Sequence, residues 1–253
     1  MPRDRRKTPS AVIFDVDGTL VDSERDGHRV AFNGAFAAAG LPYRWDPQEY
    51  GRLLHITGGR RRIAAFLESH GHSAPEAARL AGQLHAGKTQ RFRDLIRLGR
   101  IPPRPGAVEL LGELRAAGLR LAVATTGTRT WVEPLLDALF GPGVFAVVVT
   151  GSEVSALKPD PAAYLEALAR LGVPAGHAVA VEDSQNGLRA ALAAGLRCVV
   201  VTNDYTRGQD FTGASAVLSG FPVDEPWPPA LTGLPAGRAA GAGVRSCPHR
   251  HSP

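Results

Sequence analysis

Five short apolar runs recur along this chain, at 11–15, 121–125, 145–150, 178–182 and 198–202, each ending in polar residues. A weaker run lies at 216–218. None alternates apolar with polar, the pattern expected of strands covered on both faces. Helix-like segments separate the later runs, at 106–118, 130–139, 159–172 and 184–195. Each ends near a glycine (Gly118, Gly141, Gly172, Gly195), the residue that left-handed helix C-caps favour. Repeated strand–helix units predict an α/β fold, a doubly wound and mostly parallel sheet with helices on both sides.

One segment interrupts that rhythm. Residues 26–102 contain no strong strand candidate, but helical stretches at 27–39, 46–54, 59–70, 75–82 and 84–98. Pro102, Pro103 and Pro105 then mark the return to the strand–helix pattern. The expected division is a core from 10–25 and 103–222, a small α-helical cap inserted at 26–102, and a flexible tail at 223–253. Inserted caps can close over a site and exclude water during chemistry.

Composition removes several function classes. No apolar run approaches the roughly 20 residues of a membrane-spanning helix. The basic N-terminus meets Asp15 too early for a signal-peptide core, so the expected location is the cytoplasm. The net charge is +5, but lysine occurs only at Lys7, Lys88 and Lys158, and no aromatic-interleaved basic stripe suggests a nucleic-acid partner. Of two cysteines, Cys198 sits in an apolar run and Cys247 near His249 and His251 in the tail, where a frayed terminus is a simpler reading than a metal site. A monomer acting on a small molecule is expected.

In parallel α/β sheets, ligands bind at the carboxyl ends of the strands. The first run ends in Asp15-Val16-Asp17-Gly18-Thr19, so two carboxylates leave the strand from one edge. They suit a shared metal and substrate, one attacking and one handling protons, although an Asp-Gly turn also ends many strands. The second run ends in Thr125-Thr126-Gly127-Thr128, whose hydroxyls and N–H groups suit phosphate oxygens. Lys158 precedes a helix begun by Pro159 and Pro161, and the fourth run ends in the acidic pair Glu182-Asp183.

Taken in order, these four segments resemble the motifs of the haloacid-dehalogenase-like phosphohydrolases, over about residues 10–222. The resemblance implies that Asp15 attacks phosphorus and that Asp17 serves as general acid and then base. It implies Mg²⁺ held by Asp15, the Asp17 carbonyl and Asp183, with Glu182 as ligand or neighbour. Thr125 and the Thr126 N–H would bind phosphoryl oxygens, and Lys158 would neutralise charge. Dehalogenase members lack the second Asp, so Asp17 argues for phosphate chemistry.

The insertion speaks to the substrate. From Arg44 to Arg104 there are twelve Lys/Arg against five Asp/Glu, a field that favours an anionic substrate. Thr57-Gly58-Gly59-Arg60-Arg61-Arg62 places glycines before a helix with arginines in its first turn, a candidate anion nest. Glu24 and His28 are candidates to hydrogen-bond sugar hydroxyls. The run Glu24–Asn33 and the Thr-Gly-Gly-basic segment resemble CbbY-type xylulose-1,5-bisphosphate phosphatases, which implies removal of a misfire product that would inhibit Rubisco. A β-phosphoglucomutase-like mutase and a generic sugar-monophosphate or phosphoglycolate phosphatase remain open. A phospho-aspartate receiver module is the remote alternative, being far shorter and needing no acid two residues after its aspartate.

Overall fold

A computed structural model describes residues 8–222; the tail at 223–253, with Cys247, His249 and His251, lies outside the described residues. Strand β1 (Ala11–Phe14) is buried throughout. Its pleat sends Val12 and Phe14 into one apolar cluster and Ala11 and Ile13 into another. Full burial of Val, Ile or Phe contributes roughly 1.5–3 kcal/mol apiece, so this strand anchors both layers.

The remaining strands are β2 (Arg120–Ala124), β3 (Val147–Val149), β4 (Ala178–Glu182), β5 (Arg197–Val201) and β6 (Ala216–Leu218). They form one sheet in the order β3-β2-β1-β4-β5-β6, and every pairing is parallel. Helices α5 (Ala107–Ala116) and α6 (Arg129–Phe140) cover one face, with Leu110, Leu114, Trp131 and Leu135 against Phe14 and Val123. Helices α7 (Ala162–Leu171) and α8 (Gln185–Ala193) cover the other. The expected doubly wound sheet is the one found.

Topology and register place the site. The chain leaves β1 toward β2 and β4 toward β5, in opposite directions, which opens a crevice at their carboxyl ends. Phe14 is level with Val123 on one side and with Val181 on the other. The residues that follow (Asp15, then Thr125 after Ala124, then Glu182 and Asp183) therefore emerge together.

Between β1 and α5 lie α1 (Arg29–Ala38), α2 (Pro47–Leu53), α3 (Gly59–Ser69) and α4 (Ala74–Arg97). A single π-helical turn, Glu24–His28, leads into α1. Two expected helices, 75–82 and 84–98, are one continuous helix of 24 residues. Gly82 and Gly87 each cost about 1 kcal/mol in a helix. The buried stripe Ala77, Ala81, Leu84, Lys88, Phe92 and Ile96 runs through both and outweighs them.

These helices hold their own apolar cluster, built on Phe32, Phe36, Trp45, Tyr50, Ile63, Phe66 and Leu67. The separation is incomplete. Phe92, Ile96 and Ile101 belong instead to the sheet cluster, so α4 begins in the insertion and ends against α6.

Candidate active site

Asp15 leaves β1 with its N–H donating to Val181 O at 2.9 Å. A tight turn follows, in which the Gly18 N–H donates to Val21 O at 2.8 Å. Gly18 has φ of 82°, and a Cβ there would fall 2.3 Å from Asp183 Oδ2. The Asp-Gly in this motif is thus required twice, by backbone conformation and by close approach.

Lys158 is buried and donates to Asp15 Oδ1 at 2.7 Å and Glu182 Oε1 at 2.5 Å. The Tyr164 hydroxyl donates to the same Glu182 oxygen at 2.6 Å. Burial works against the charge on Lys158, but Asp15 and Glu182 outweigh it and hold its pKa above the usual lysine value. Burial pushes Asp15 and Asp183 in the opposite sense, upward, and repulsion from Glu182 adds to both; Lys158 offsets part of the rise at Asp15.

Carboxylate oxygens of Asp15, Glu182 and Asp183 lie within 4.8 Å of one another, and all three residues are buried. An oxygen-only donor set carrying more negative charge than Lys158 balances fits a hard divalent cation. Glu182 Oε1 accepts from both Lys158 and Tyr164, whereas Asp15 Oδ1 accepts from Lys158 and Asp183 Oδ2 from Asn203.

The Asp17 side chain stands outside that triad. Its Oδ1 accepts from the Ser23 hydroxyl and from His28 Nε2, the latter at 2.8 Å. Behind the imidazole, Lys88 Nζ lies 2.7 Å from His28 Nδ1. An ammonium only donates, so His28 Nδ1 accepts and the ring proton sits on Nε2, facing Asp17. Burial brings Lys88 down to about 8, which leaves it largely charged at neutral pH. Burial raises Asp17, but His28 beside it, with the hydrogen bonds from His28 and Ser23 and the Lys88 charge behind, prevails and holds it below the usual carboxylate range.

His28, expected to meet sugar hydroxyls, is not among the residues that line the cleft. Both ring nitrogens are engaged, and the ring stacks 3.8 Å from Phe92, so His28 orients Asp17 instead. Replacing His28 with Ala should lower kcat about 100-fold, and Lys88→Met about tenfold, with KM little changed. Steady-state kinetics of both variants check this; a change in KM alone would contradict the orienting role.

Above these residues opens a cleft of about 440 Å³, lined in part by Asp15, Asp17, Lys158 and Asp183 below. Glu24, Thr57, Gly58 and Arg62 line it from the insertion. Glu24 accepts from the Tyr50 hydroxyl, and Arg62 donates to that hydroxyl at 3.1 Å. Arg62 also donates to Leu53 O and Ile56 O, so it braces the wall as well as charging it. Thr57 Oγ1 accepts from Asn186 Nδ2 of the sheet domain at 3.2 Å.

Arg60 and Arg61 are exposed and do not line this cleft, nor does Gly59; of the three consecutive arginines, the one that does is the buried Arg62. One helical turn decides the matter, since α3 starts at Gly59 and its third arginine faces inward. Thr126 lines the cleft, whereas Thr125 is buried beneath and its Oγ1 accepts from the Gly127 N–H at 3.1 Å. Gly127 itself is dictated by packing, because a Cβ there would lie 2.3 Å from the Trp131 ring.

Sequence reasoning missed Lys88, Ser23, Asn203 and Arg189, and named Arg62 only as part of the arginine run; Arg62, Asn203 and Arg189 line the cleft. Asn203 was findable, since it follows the fifth strand as the other site residues follow theirs.

A family model for haloacid dehalogenase-like hydrolases matches residues 9–195. The chain is 48% identical over 214 residues to the protein CbbY of Cereibacter sphaeroides, covering 83% of this chain and 92% of that protein. It is similar to the crystal structure of CbbY from Rhodobacter sphaeroides in complex with phosphate, with a TM-score of 0.77 and 46% identity over 84% of this chain and 95% of that one. A variant of that protein in complex with xylulose-(1,5)bisphosphate is similar at 45% identity and a TM-score of 0.77, with the same coverage. With the Asp15–Lys158–Asp183 arrangement at the end of a parallel sheet, these matches show that the chain belongs to the haloacid dehalogenase-like hydrolase family.

Proposed function

We propose that this protein is a Mg²⁺-dependent phosphatase of sugar bisphosphates, with xylulose 1,5-bisphosphate as substrate and xylulose 5-phosphate as product. The observation that carries the reading is the buried Asp15 held by Lys158 beside Asp183, under a cleft roofed by Glu24 and Arg62. The likeness to a CbbY in complex with that bisphosphate supports the choice of sugar.

Asp15 and Asp183, with Glu182 beside them, would hold Mg²⁺. When bound, it neutralises charge on phosphoryl oxygens. Asp15 attacks phosphorus through a carboxylate oxygen, the bond to the ester oxygen breaks, and an aspartyl-phosphate forms. Asp17, protonated for this step, gives its proton to the departing alkoxide. It then takes a proton from the water that attacks the aspartyl-phosphate and releases inorganic phosphate. Lys158 and the Thr126 N–H stabilise the transferring group, and Glu24 orients sugar hydroxyls. Arg62 supplies positive charge toward the distal phosphate, a role we give it in place of Arg60 and Arg61. The protein acts as a cytoplasmic monomer, and the bisphosphate it removes is a misfire product that inhibits Rubisco.

Steady-state phosphate release across a panel of sugar phosphates tests the assignment. The kcat/KM for xylulose 1,5-bisphosphate should exceed that for xylulose 5-phosphate or phosphoglycolate by roughly 100-fold. Equal values for mono- and bisphosphates would contradict it. An isomerised sugar phosphate in place of inorganic phosphate would show a mutase.

A further inference from the structure

One loop of the sheet domain touches both the acidic cluster and the helical insertion. It follows β5 and runs from Asn203 to Thr206. Asn203 Nδ2 donates to Asp183 Oδ2 at 2.7 Å and to Gly18 O at 3.3 Å. Its Oδ1 accepts from the Tyr205 N–H at 2.9 Å, which fixes the amide with its donor side toward Asp183. The Asn203 N–H in turn donates to the buried Thr206 Oγ1 at 3.0 Å, and the Arg207 N–H returns to Asn203 O at 3.0 Å. These bonds tie the Asn203 amide directly to the turn that carries Tyr205.

Tyr205 points the other way. It packs against the insertion's apolar cluster, the one residue outside 32–84 to do so among the described residues. Its ring lies 6.0 Å from that of Tyr50, edge to face. A Cβ on Gly51 of α2 would sit 2.8 Å from its Cδ1, so only glycine admits the ring there. The Tyr205 hydroxyl is buried without a partner, so the ring carries the contact.

We propose that Asn203 is a positioning residue for Asp183, and that Tyr205 seated against Gly51 couples the cap's position to the orientation of that carboxylate. Asp183 is buried among like charges, so without a donor on Oδ2 it would turn away from Asp15. When the cap lifts, Tyr205 loses the wall formed by Gly51 and Tyr50, and the turn loses the constraint that holds Asn203 in line. Metal affinity is then highest with the cap seated. The proposal rests on the reading of Asp15 and Asp183 as metal-holding carboxylates, which is part of the function proposed above.

Calorimetric titration of Mg²⁺ into the full-length, substrate-free protein tests it. Asn203→Ala should weaken binding about tenfold or more, with kcat recovering to within a few-fold at saturating Mg²⁺. Gly51→Ala, which touches no carboxylate of the cluster, should weaken it about three- to tenfold, and Leu98→Ala on the exposed end of α4 should not. If either variant fails to fold, Asn203→Ser and Tyr205→Leu replace them. Unchanged affinity in the Asn203 variant overturns the positioning role. Weakening there with unchanged affinity in the Gly51 variant overturns the coupling. A wild-type protein that binds no Mg²⁺ would instead defeat the metal reading on which both rest.

Discussion

Asp15→Asn should reduce phosphate release about 10⁵-fold, the largest loss expected of any single substitution. An amide nitrogen or oxygen does not displace an alkoxide from phosphorus, and no other carboxylate reaches the same position. Glu182 is tied by Lys158 and Tyr164, and Asp17 by Ser23 and His28. The same change should raise thermal stability in the absence of divalent cation. Asp15 is a buried carboxylate whose ionisation is opposed by burial and by Glu182, and which gains only in part from Lys158. An isosteric neutral side chain removes that repulsion, and Glu182 remains as partner for the lysine. Phosphate release and thermal unfolding of the one variant check both halves. Lost activity with a lowered melting temperature would point to misfolding rather than to a missing nucleophile.

Asp17→Asn should cost about 10³- to 10⁴-fold in kcat for a sugar phosphate, through loss of proton transfer in both half-reactions. Leaving groups differ in their need for that proton. A phenolate departs unaided, so an aryl phosphate should still phosphorylate Asp15 in the variant. The resulting aspartyl-phosphate has no base to activate water and should accumulate. The prediction is a burst of phenolate equal to the enzyme concentration, followed by a slow steady rate. Wild-type protein should show no such burst if its second step keeps pace with the first. The His28–Lys88 pair supports the second half-reaction from behind, because it holds Asp17 aimed and in the ionised form that takes a proton from water.

Much of this arrangement was legible in the chain because parallel sheets are simple to read. Apolar runs that lack alternation place β1, β2, β4 and β5, and the register makes their polar ends converge on Asp15, Thr125, Glu182 and Asp183. Local signals failed where tertiary packing prevailed. The two helical stretches expected at 75–82 and 84–98 are one helix, because a continuous buried stripe overrides the helix cost of Gly82. His28 looked like a hydrogen bonder to sugar hydroxyls because nothing near it in sequence shows Lys88, 60 positions on, behind its ring. Three consecutive arginines gave no way to tell which faces the cleft until the phase of α3 was known; Arg62 does, and it is fixed by carbonyls of Leu53 and Ile56. Asn203 carries no charge and no motif, and its place after the fifth strand was the one signal for it, since its partner Gly18 lies 185 residues away.

The central claim is a covalent phosphoryl group on Asp15, and the mass of acid-quenched protein measures it directly. Protein mixed with substrate and quenched within one turnover should carry the mass of one phosphoryl group, mapped by peptide analysis to residues that include Asp15. Asp17→Asn mixed with an aryl phosphate should hold that mass for many turnover times of the wild type, and Asp15→Asn should never acquire it. Phosphate released by wild-type protein with no mass gain at any quench time, and none in the Asp17 variant, would contradict the account, since water would then attack the substrate directly.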